Sequence, residues 1–473
     1  GGAAGLLVAH ATLSALTALM PQENLATFTL ALDSRAVLSA AALSLVTGLL
    51  FGLYPALHST RRDLMVSLRD RAGQTTSPSA RRFRAALVTA QIALATALLV
   101  SAGLFIRSLV NVTSVELGIR PENVVSFRMA PALSGYTPER SLQLFEQLED
   151  DLAALPGVTS ATASLMPLLS SSTTGGNIRV EGFDNGPDTN RNVRANQVGV
   201  GFLRTLGMTL LGGRDIASTD GPDAPRVALV NEAFVRQFNL GGHAVGTRMA
   251  DWTSPDEGFD TEIVGVVKDA HYADVREAAV PSVVFRPYRQ VPPQGFTYFY
   301  ARTSTAPESL LAAIPRVVAN RDPYLPIEML KTMPQQVREN VYVDRMIGFL
   351  SATYALVATL LAALGLYGVL AYTVGQRTRE IGLRMALGAD ARVVRGMVLG
   401  QVARLTLAGV VLGIVAALAI GRMAQALLYE LDGHDPLAIG GAAVALAAVA
   451  LAAGYLPARR ASTIDPMRAL RWE

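Results

Sequence analysis

Apolar positions along this chain follow two patterns. Six windows are almost unbroken, roughly 1–20, 36–54, 85–106, 347–372, 402–427 and 437–456. Each is long enough for a helix across the ~30 Å hydrocarbon layer, which takes about 20 apolar residues. Between the third and fourth windows the pattern breaks into short periods. Residues 124–129 alternate like a strand, and 138–154 carry Leu142, Phe145, Leu148 and Leu152 at helical spacing. Pro156-Gly157 then turns into a second strand over 158–164, so the three form a β-α-β unit. A Ser/Thr/Gly-rich passage over 170–176 predicts a boundary. Beyond it the pattern predicts strands at 178–180, 227–230, 263–267, 283–285 and 297–301, and helices at 231–238 and 307–320. A strand at 325–330 returns to the first unit. The outer segment therefore reads as α/β in two subdomains, one from 123–164 with 297–330 and one inserted between them. From Pro334 a helical pattern runs without a breaker into the fourth window, which predicts a rigid connection.

Charge orients the windows, because short cytoplasmic loops carry the Lys/Arg excess. The loop after the second holds Arg61, Arg62, Arg69, Arg71, Arg81, Arg82 and Arg84 against Asp63 and Asp70. The loop after the fourth holds Arg377, Arg379, Arg384, Arg392 and Arg395, and the tail holds Arg459, Arg460, Arg468 and Arg471. The turn after the fifth has Glu430, Asp432 and Asp435 with no Lys or Arg. Residues 111–344 carry 20 basic and 27 acidic side chains, a balance of −7. This alternation predicts an extracytoplasmic 111–344 segment and a cytoplasmic C-terminus in a multi-pass inner-membrane protein.

Composition agrees. The chain is 51% apolar and 17% charged with mean hydropathy +0.33, where soluble chains carry about 25% charge. The absence of cysteine excludes a disulfide framework, Cys-ligated zinc, iron–sulfur clusters and thiol chemistry. A net charge of +3 gives no reason to expect a nucleic-acid partner. The chain opens on Gly1-Gly2 inside an apolar run, which reads as a fragment of a longer protein.

No constellation for catalysis, metal or cofactor emerges. The five histidines are scattered. His10, in mid-window, reads as a neutral histidine bonded inside the helix bundle before it reads as a proton relay. Arg404 and Arg422 read as snorkelling side chains near span ends. Asp251, Asp256, Glu257, Asp260 and Glu262 lack EF-hand spacing and read as a solvated loop. The two lysines, Lys268 and Lys331, lie outside any Gly-x-x-x-x-Gly-Lys-Ser/Thr loop. The chain is thus no enzyme by this reading, and ATP-driven work falls to a partner.

The chain also repeats itself. At an offset of 402, Asp33, Gly52, Pro55-Ala56, Asp63, Met65 and Leu68-Arg69 fall on Asp435, Gly454, Pro457-Ala458, Asp465, Met467 and Leu470-Arg471. At 408, Gly1 and Gly5 fall on Gly409 and Gly413, two Gly-x-x-x-Gly pairs suited to close helix packing. Residues 1–57 then read as the last two spans of a first unit, and 58–84 as a basic cytoplasmic linker. Residues 85–107 read as a span, 108–345 as the outer domain, and 346–473 as a three-span domain with a cytoplasmic helix at 376–389. The first unit's opening span, outer domain and next span are expected before Gly1.

That cytoplasmic helix reads Arg377-Thr378-Arg379-Glu380-Ile381-Gly382-Leu383-Arg384-Met385-Ala386-Leu387-Gly388-Ala389. Ile381 and Met385 share a face, Glu380 and Arg384 form an i,i+4 pair, Gly388 suits a stop, and Asp390 suits an N-cap. A helix lying at the lipid interface would look the same. The pattern resembles the signature of FtsX-type permeases of ABC transporters, within them the MacB-like group, and so does Pro457-Ala458-Arg459-Arg460-Ala461 with Asp465-Pro466-Met467. Val230-Asn231-Glu232-Ala233-Phe234, Ile263-Val264-Gly265-Val266-Val267, Arg286-Pro287-Tyr288 and Leu155-Pro156-Gly157-Val158 are similar to the MacB-like periplasmic core domain. The duplicated layout resembles tandem permeases of the acidobacterial type. The resemblance implies mechanotransmission: a separate ABC ATPase subunit pushes on Arg379, Glu380, Ile381, Gly382, Arg384, Ala386, Gly388 and Ala389. It implies an outer domain driving export with a periplasmic adaptor and an outer-membrane duct. Two other classes stay open, a non-transporting envelope scaffold or sensor and an ion-coupled secondary transporter. The second is disfavoured by the near absence of acids and bases in the windows.

Overall fold

The computed structural model describes residues 2–20, 33–60, 78–170, 172–183, 189–250, 258–271, 274–277, 279–291 and 295–463, without the side chains of 19, 50–60, 78–81 and 379. Gly1, the basic stretch 61–77, Asp251, Asp256, Glu257 and the tail 464–473 lie outside the described residues. The chain forms two units, one from Gly1–Asn111 and Tyr342–Glu473, the other Val112–Val341.

Its helices are α1 (Gly2–Leu19), α2 (Ser34–Thr60), α3 (Pro78–Thr113), α4 (Pro138–Ala153), α5 (Phe202–Leu206), α6 (Glu232–Gln237) and α7 (Glu308–Arg321). They continue with α8 (Met333–Asn340), α9 (Tyr342–Gln376), α10 (Thr378–Ala386), α11 (Ala391–Met423) and α12 (Pro436–Ser462). The strands are β1 (Val124–Met129), β2 (Val158–Ser164), β3 (Thr174–Asn177), β4 (Arg179–Val180), β5 (Asn192–Val198) and β6 (Leu210–Gly213). The rest are β7 (Arg226–Asn231), β8 (Arg248–Ala250), β9 (Thr261–Val267), β10 (Val283–Pro287), β11 (Thr297–Thr303) and β12 (Ile327–Thr332).

Four helices of the first unit, α3, α9, α11 and α12, are long and apolar enough to cross a membrane. They are the third to sixth of the six apolar windows. Within the described residues α1 and α2 offer apolar stretches of only Gly2–Ala18 and Ser34–Leu49. Mostly small residues three or four positions apart line the packed seams: Val394, Val398, Val402, Thr406, Gly409, Gly413, Ala417 and Gly421 on α11, and Ala438, Ala442, Leu446, Ala450 and Gly454 on α12. Large apolar side chains such as Leu364, Val415 and Val444 stay exposed on the other faces, as lipid-facing surface requires. At one end of the bundle Arg107 pairs with Asp435, and Ser108 Oγ accepts from the Tyr429 amide at 2.8 Å. His10 sits on the exposed side of α1, not inside the bundle.

The second unit is built on one mixed sheet in the order β12-β1-β11-β2-β5-β10-β7-β9-β8-β4, with β3 on β5 and β6 on β9. β1 and β2 both run antiparallel to β11, so they are parallel with a strand between them. Parallel strands need a crossover, and α4 supplies it. β11, α7 and β12 repeat the device around β1. The two β-α-β units interleave, and Phe127, Met129, Phe145, Leu148, Phe299, Ile314 and Val318 fill the space under the helices. A separate cluster of Val193, Val230, Phe234, Phe238, Met249, Ile263 and Val284 lies in the other part of the sheet. The two parts meet where β2 pairs β5 through Ser164 and Val198.

Two expectations fail locally. The passage over 170–176 is not simply a boundary, because Thr174–Asn177 pairs with β5. A Cβ at Gly175 would stand 2.0 Å from the Val193 carbonyl, so the pairing demands the glycine that made it look like a loop. The helical run from Pro334 is interrupted at Val341. Val341 is buried, and the Asn340 amide group bonds to the Leu169 carbonyl and the Val275 amide. As the sequence suggests, Asp390 caps α11, which starts at Ala391 and carries the fifth apolar window in its later part.

Candidate coupling site

The helix α10 lies between two long helices and is closed at its C-terminus by its own sequence. At its C-terminus the Ala389 amide bonds to the Arg384 carbonyl at 2.9 Å and the Gly388 amide to the Met385 carbonyl at 3.0 Å. This is a Schellman closure, which needs a left-handed residue. Gly388 supplies it with φ +94°. Asp390 follows at once, and its Oδ1 accepts from the Arg392 amide at 3.2 Å as the N-cap of α11.

The two faces of α10 differ. Ile381, 2% exposed, packs in a cluster with Leu370, Val394, Val398, Ala458 and Ala461. Gly382 is buried beside it. The opposite face carries an ion pair at 2.6 Å between Glu380 and Arg384, with Arg377 4.0 Å from Glu380. Arg384 also reaches the Met397 sulfur at 3.2 Å, which ties the pair to the start of α11. Ala386 is exposed and Ala389 half-buried. The side chain of Arg379 lies outside the described residues.

Reading the sequence alone misses Leu383 and Leu387. They are 51% and 81% exposed, one turn apart on the outward face. Their i,i+4 spacing beside Glu380 and Arg384 was the available signal. Conversely, Ile381 and Gly382 are buried against the bundle.

The predicted packing glycines separate as well. A Cβ at Gly409 would come within 2.4 Å of Ile92 Cγ2, and one at Gly413 within 2.4 Å of Thr96 Cβ and 2.5 Å of the Ala93 carbonyl. Gly5 has nothing within 4 Å, and Gly1 is outside the described residues. Among the described residues no group of His, Cys, Asp or Glu could hold a metal ion.

Residues 85–317 match the MacB-like periplasmic core domain, and residues 352–466 match the FtsX-like permease C-terminal domain. The chain belongs to the FtsX-type, MacB-like permeases. Within the permease, α10 and its Gly388 closure fall inside the FtsX-like segment. The macrolide export ATP-binding/permease protein MacB of Hahella chejuensis is 24% identical over 295 residues, 60% of this chain and 43% of that protein. The pyoverdine export ATP-binding/permease protein PvdT of Pseudomonas entomophila is 37% identical over 120 residues, 25% of this chain and 18% of that protein. The permease thus spans less than half the length of these curated relatives. Among solved structures, the periplasmic region of MacB from Actinobacillus actinomycetemcomitans covers 49% of this chain and 98% of its own, at 14% identity and TM-score 0.33.

Proposed function

We propose that this permease works by mechanotransmission in export: a separate ABC ATPase docks on α10, and its ATP-driven movement reaches the outer domain through the helix bundle. The observation that carries this reading is the two-faced geometry of α10. Ile381 anchors the helix to α11 and α12, and Glu380, Leu383, Arg384 and Leu387 face outward. A helix held on one side and offering an apolar pair beside a charged pair on the other suits a protein partner better than solvent. The related exporters are named as joint ATP-binding and permease proteins, while neither lysine of this chain sits in a phosphate-binding loop.

In this reading α1 and α2 are two further spans, equivalent to α11 and α12 by the repeat, which makes six. The glycines at 1, 5, 409 and 413 are the close-packing points of each copy. The outer domain moves as two parts, since its two apolar clusters are separate and the sheet is narrow between them. It passes cargo outward with a periplasmic adaptor and an outer-membrane duct. The 111–344 segment is extracytoplasmic and the C-terminus cytoplasmic.

Two experiments test this. Because the chain has no cysteine, a single Leu133→Cys should react with an impermeant maleimide in spheroplasts and Ala386→Cys should not; both residues are exposed. The reverse labelling sinks the topology. For docking, Glu380→Arg and Arg384→Glu should each abolish stimulation of a candidate partner's ATPase in nanodiscs. Reversing a charge inside a docked interface costs about 2–5 kcal/mol of binding. Stimulation that survives both variants removes α10 as the docking point.

A further inference from the structure

A carboxyl group lies where the two parts of the outer sheet meet. Glu149, on α4, is only 9% exposed among the apolar residues of its cluster. Its Oε2 accepts a hydrogen bond from the Tyr288 hydroxyl at 2.5 Å. Its Oε1 is without a well-formed hydrogen bond, and so is the buried Thr162 Oγ1 on β2. A Cβ at Gly199 would stand 2.1 Å from Oε1 and 2.8 Å from Thr162 Oγ1, so the carboxyl occupies the space a side chain there would need.

These residues come from both sides of the junction. α4 and β2 belong to the part containing β1 and β11, while Gly199 and Tyr288 directly follow β5 and β10 in the other part. The Gly199 amide bonds to the Ala163 carbonyl at 2.8 Å, and the Tyr288 amide to the Val198 carbonyl at 3.0 Å. Arg289 adds an ion pair with Glu146 at 3.0 Å, one turn before Glu149 on α4. The carboxyl thus touches each element that holds the two parts together.

We propose that Glu149 is a proton-operated latch across this junction: the neutral carboxyl closes it, and the ionised carboxyl loosens it so that the two parts of the sheet can move. Burial disfavours the charged form. It lifts the group to about 7 against the opposing pulls of the Tyr288 hydroxyl, Arg289 and the Ala163 amide, with Asp150 pushing the same way as burial. The charged and titratable groups facing it are therefore Glu146 and Asp150 on α4, and Tyr288 and Arg289 after β10. β2 offers no titratable group, only the hydroxyls of Thr159, Ser160, Thr162 and Ser164. Because the closed-state value is raised from 4.5, the stabilisation of the closed state is complete below about 4.5 and is lost as pH rises through about 7. An extracytoplasmic domain meets such pH changes directly.

Hydrogen exchange on the purified full chain in nanodiscs tests the latch, with peptides covering 141–152 and 196–200 compared at pH 5.5 and 8.5 after correction for intrinsic rates. The opening constant should rise roughly 30-fold between these pH values, as values of 4.5 open and about 7 closed require. Glu149→Gln, a neutral near-isostere, should keep the same corrected protection at both. Tyr288→Phe removes a donor that favours the ionised form, so its transition should move to higher pH. Equal protection of the wild-type peptides at both pH values overturns the proposal. A Gln variant that responds like wild type overturns it too. If that variant fails to fold, an unmoved transition in Tyr288→Phe does the same.

Discussion

In the outer unit the largest fully buried side chains include Phe127, Phe145, Phe299 and Tyr288, whereas the seams of the membrane unit bury Gly409, Gly413, Ala442, Ala450 and Gly454. The outer core is assembled in water, where removing large apolar surface from solvent is the main driving force. Phe127 stacks on Phe299 with ring centroids 5.1 Å apart, and Phe145 meets Phe299 edge-on at 5.9 Å. The membrane bundle has no such drive, since lipid tails are as apolar as leucine. Helices associate there by close approach, and close approach selects small residues. Large apolar side chains such as Leu364, Val415 and Val444 face outward in the same bundle, alongside buried Ile92, Leu366, Leu370 and Leu446. At their closest contacts the two halves of one chain therefore use residue size differently.

The largest effect that would sharpen this contrast is expected from Phe127→Ala. Emptying that stack should cost the outer unit about 3–5 kcal/mol, read by pulse proteolysis of the full chain in urea. A loss under 1 kcal/mol would mean that the outer core does not rely on its aromatic residues. Next comes Gly413→Val, which adds volume where Thr96 and the Ala93 carbonyl already crowd the space. It should cost about 1–3 kcal/mol of helix association, read by thermal unfolding in detergent. Ala408→Val, on the exposed side of α11, should cost almost nothing. Equal effects of the two valines would break the comparison, because position on the seam would then not matter. A similarly small stability effect should come from Glu380→Arg, which belongs to neither core. An exposed charge of this kind should change stability by under ~0.5 kcal/mol, even as the partner's ATPase stimulation is lost. A large drop in melting temperature would show that the ion pair holds the bundle.

Much of this fold is legible in the sequence because two periods announce it. Unbroken apolar windows mark α3, α9, α11 and α12, and the 124–164 stretch gives its β-α-β unit almost residue for residue. What escapes is structure made by long-range contacts. β5 (Asn192–Val198) is too polar to look buried, yet Asn196 spends its side chain on the Met166 amide and lies inside the sheet. β3 is masked by the glycine its pairing needs. Val341 breaks a good helical pattern because Asn340 is bound by residues far away in sequence. At the coupling site the turn, the cap and the ion pair are local and therefore readable. Which face of α10 points inward depends on α11 and α12, so the places of Ile381 and Leu387 cannot be read from a stretch of thirteen residues.

The joint between α10 and α11 has a mechanical consequence. Its backbone bonds are already spent: the Ala389 and Gly388 amides reach back to Arg384 and Met385, and Asp390 closes the next helix. A joint of this kind has no slack to lend. An inserted residue could not be absorbed as a loop and would instead advance α11 along its spiral. One residue turns a helix by about 100°, which would swing Gly409 and Gly413 off Ile92 and Thr96. Substitutions here change chemistry, but an indel would change phase. The length of this short segment is therefore fixed by the seam it feeds, some twenty residues away.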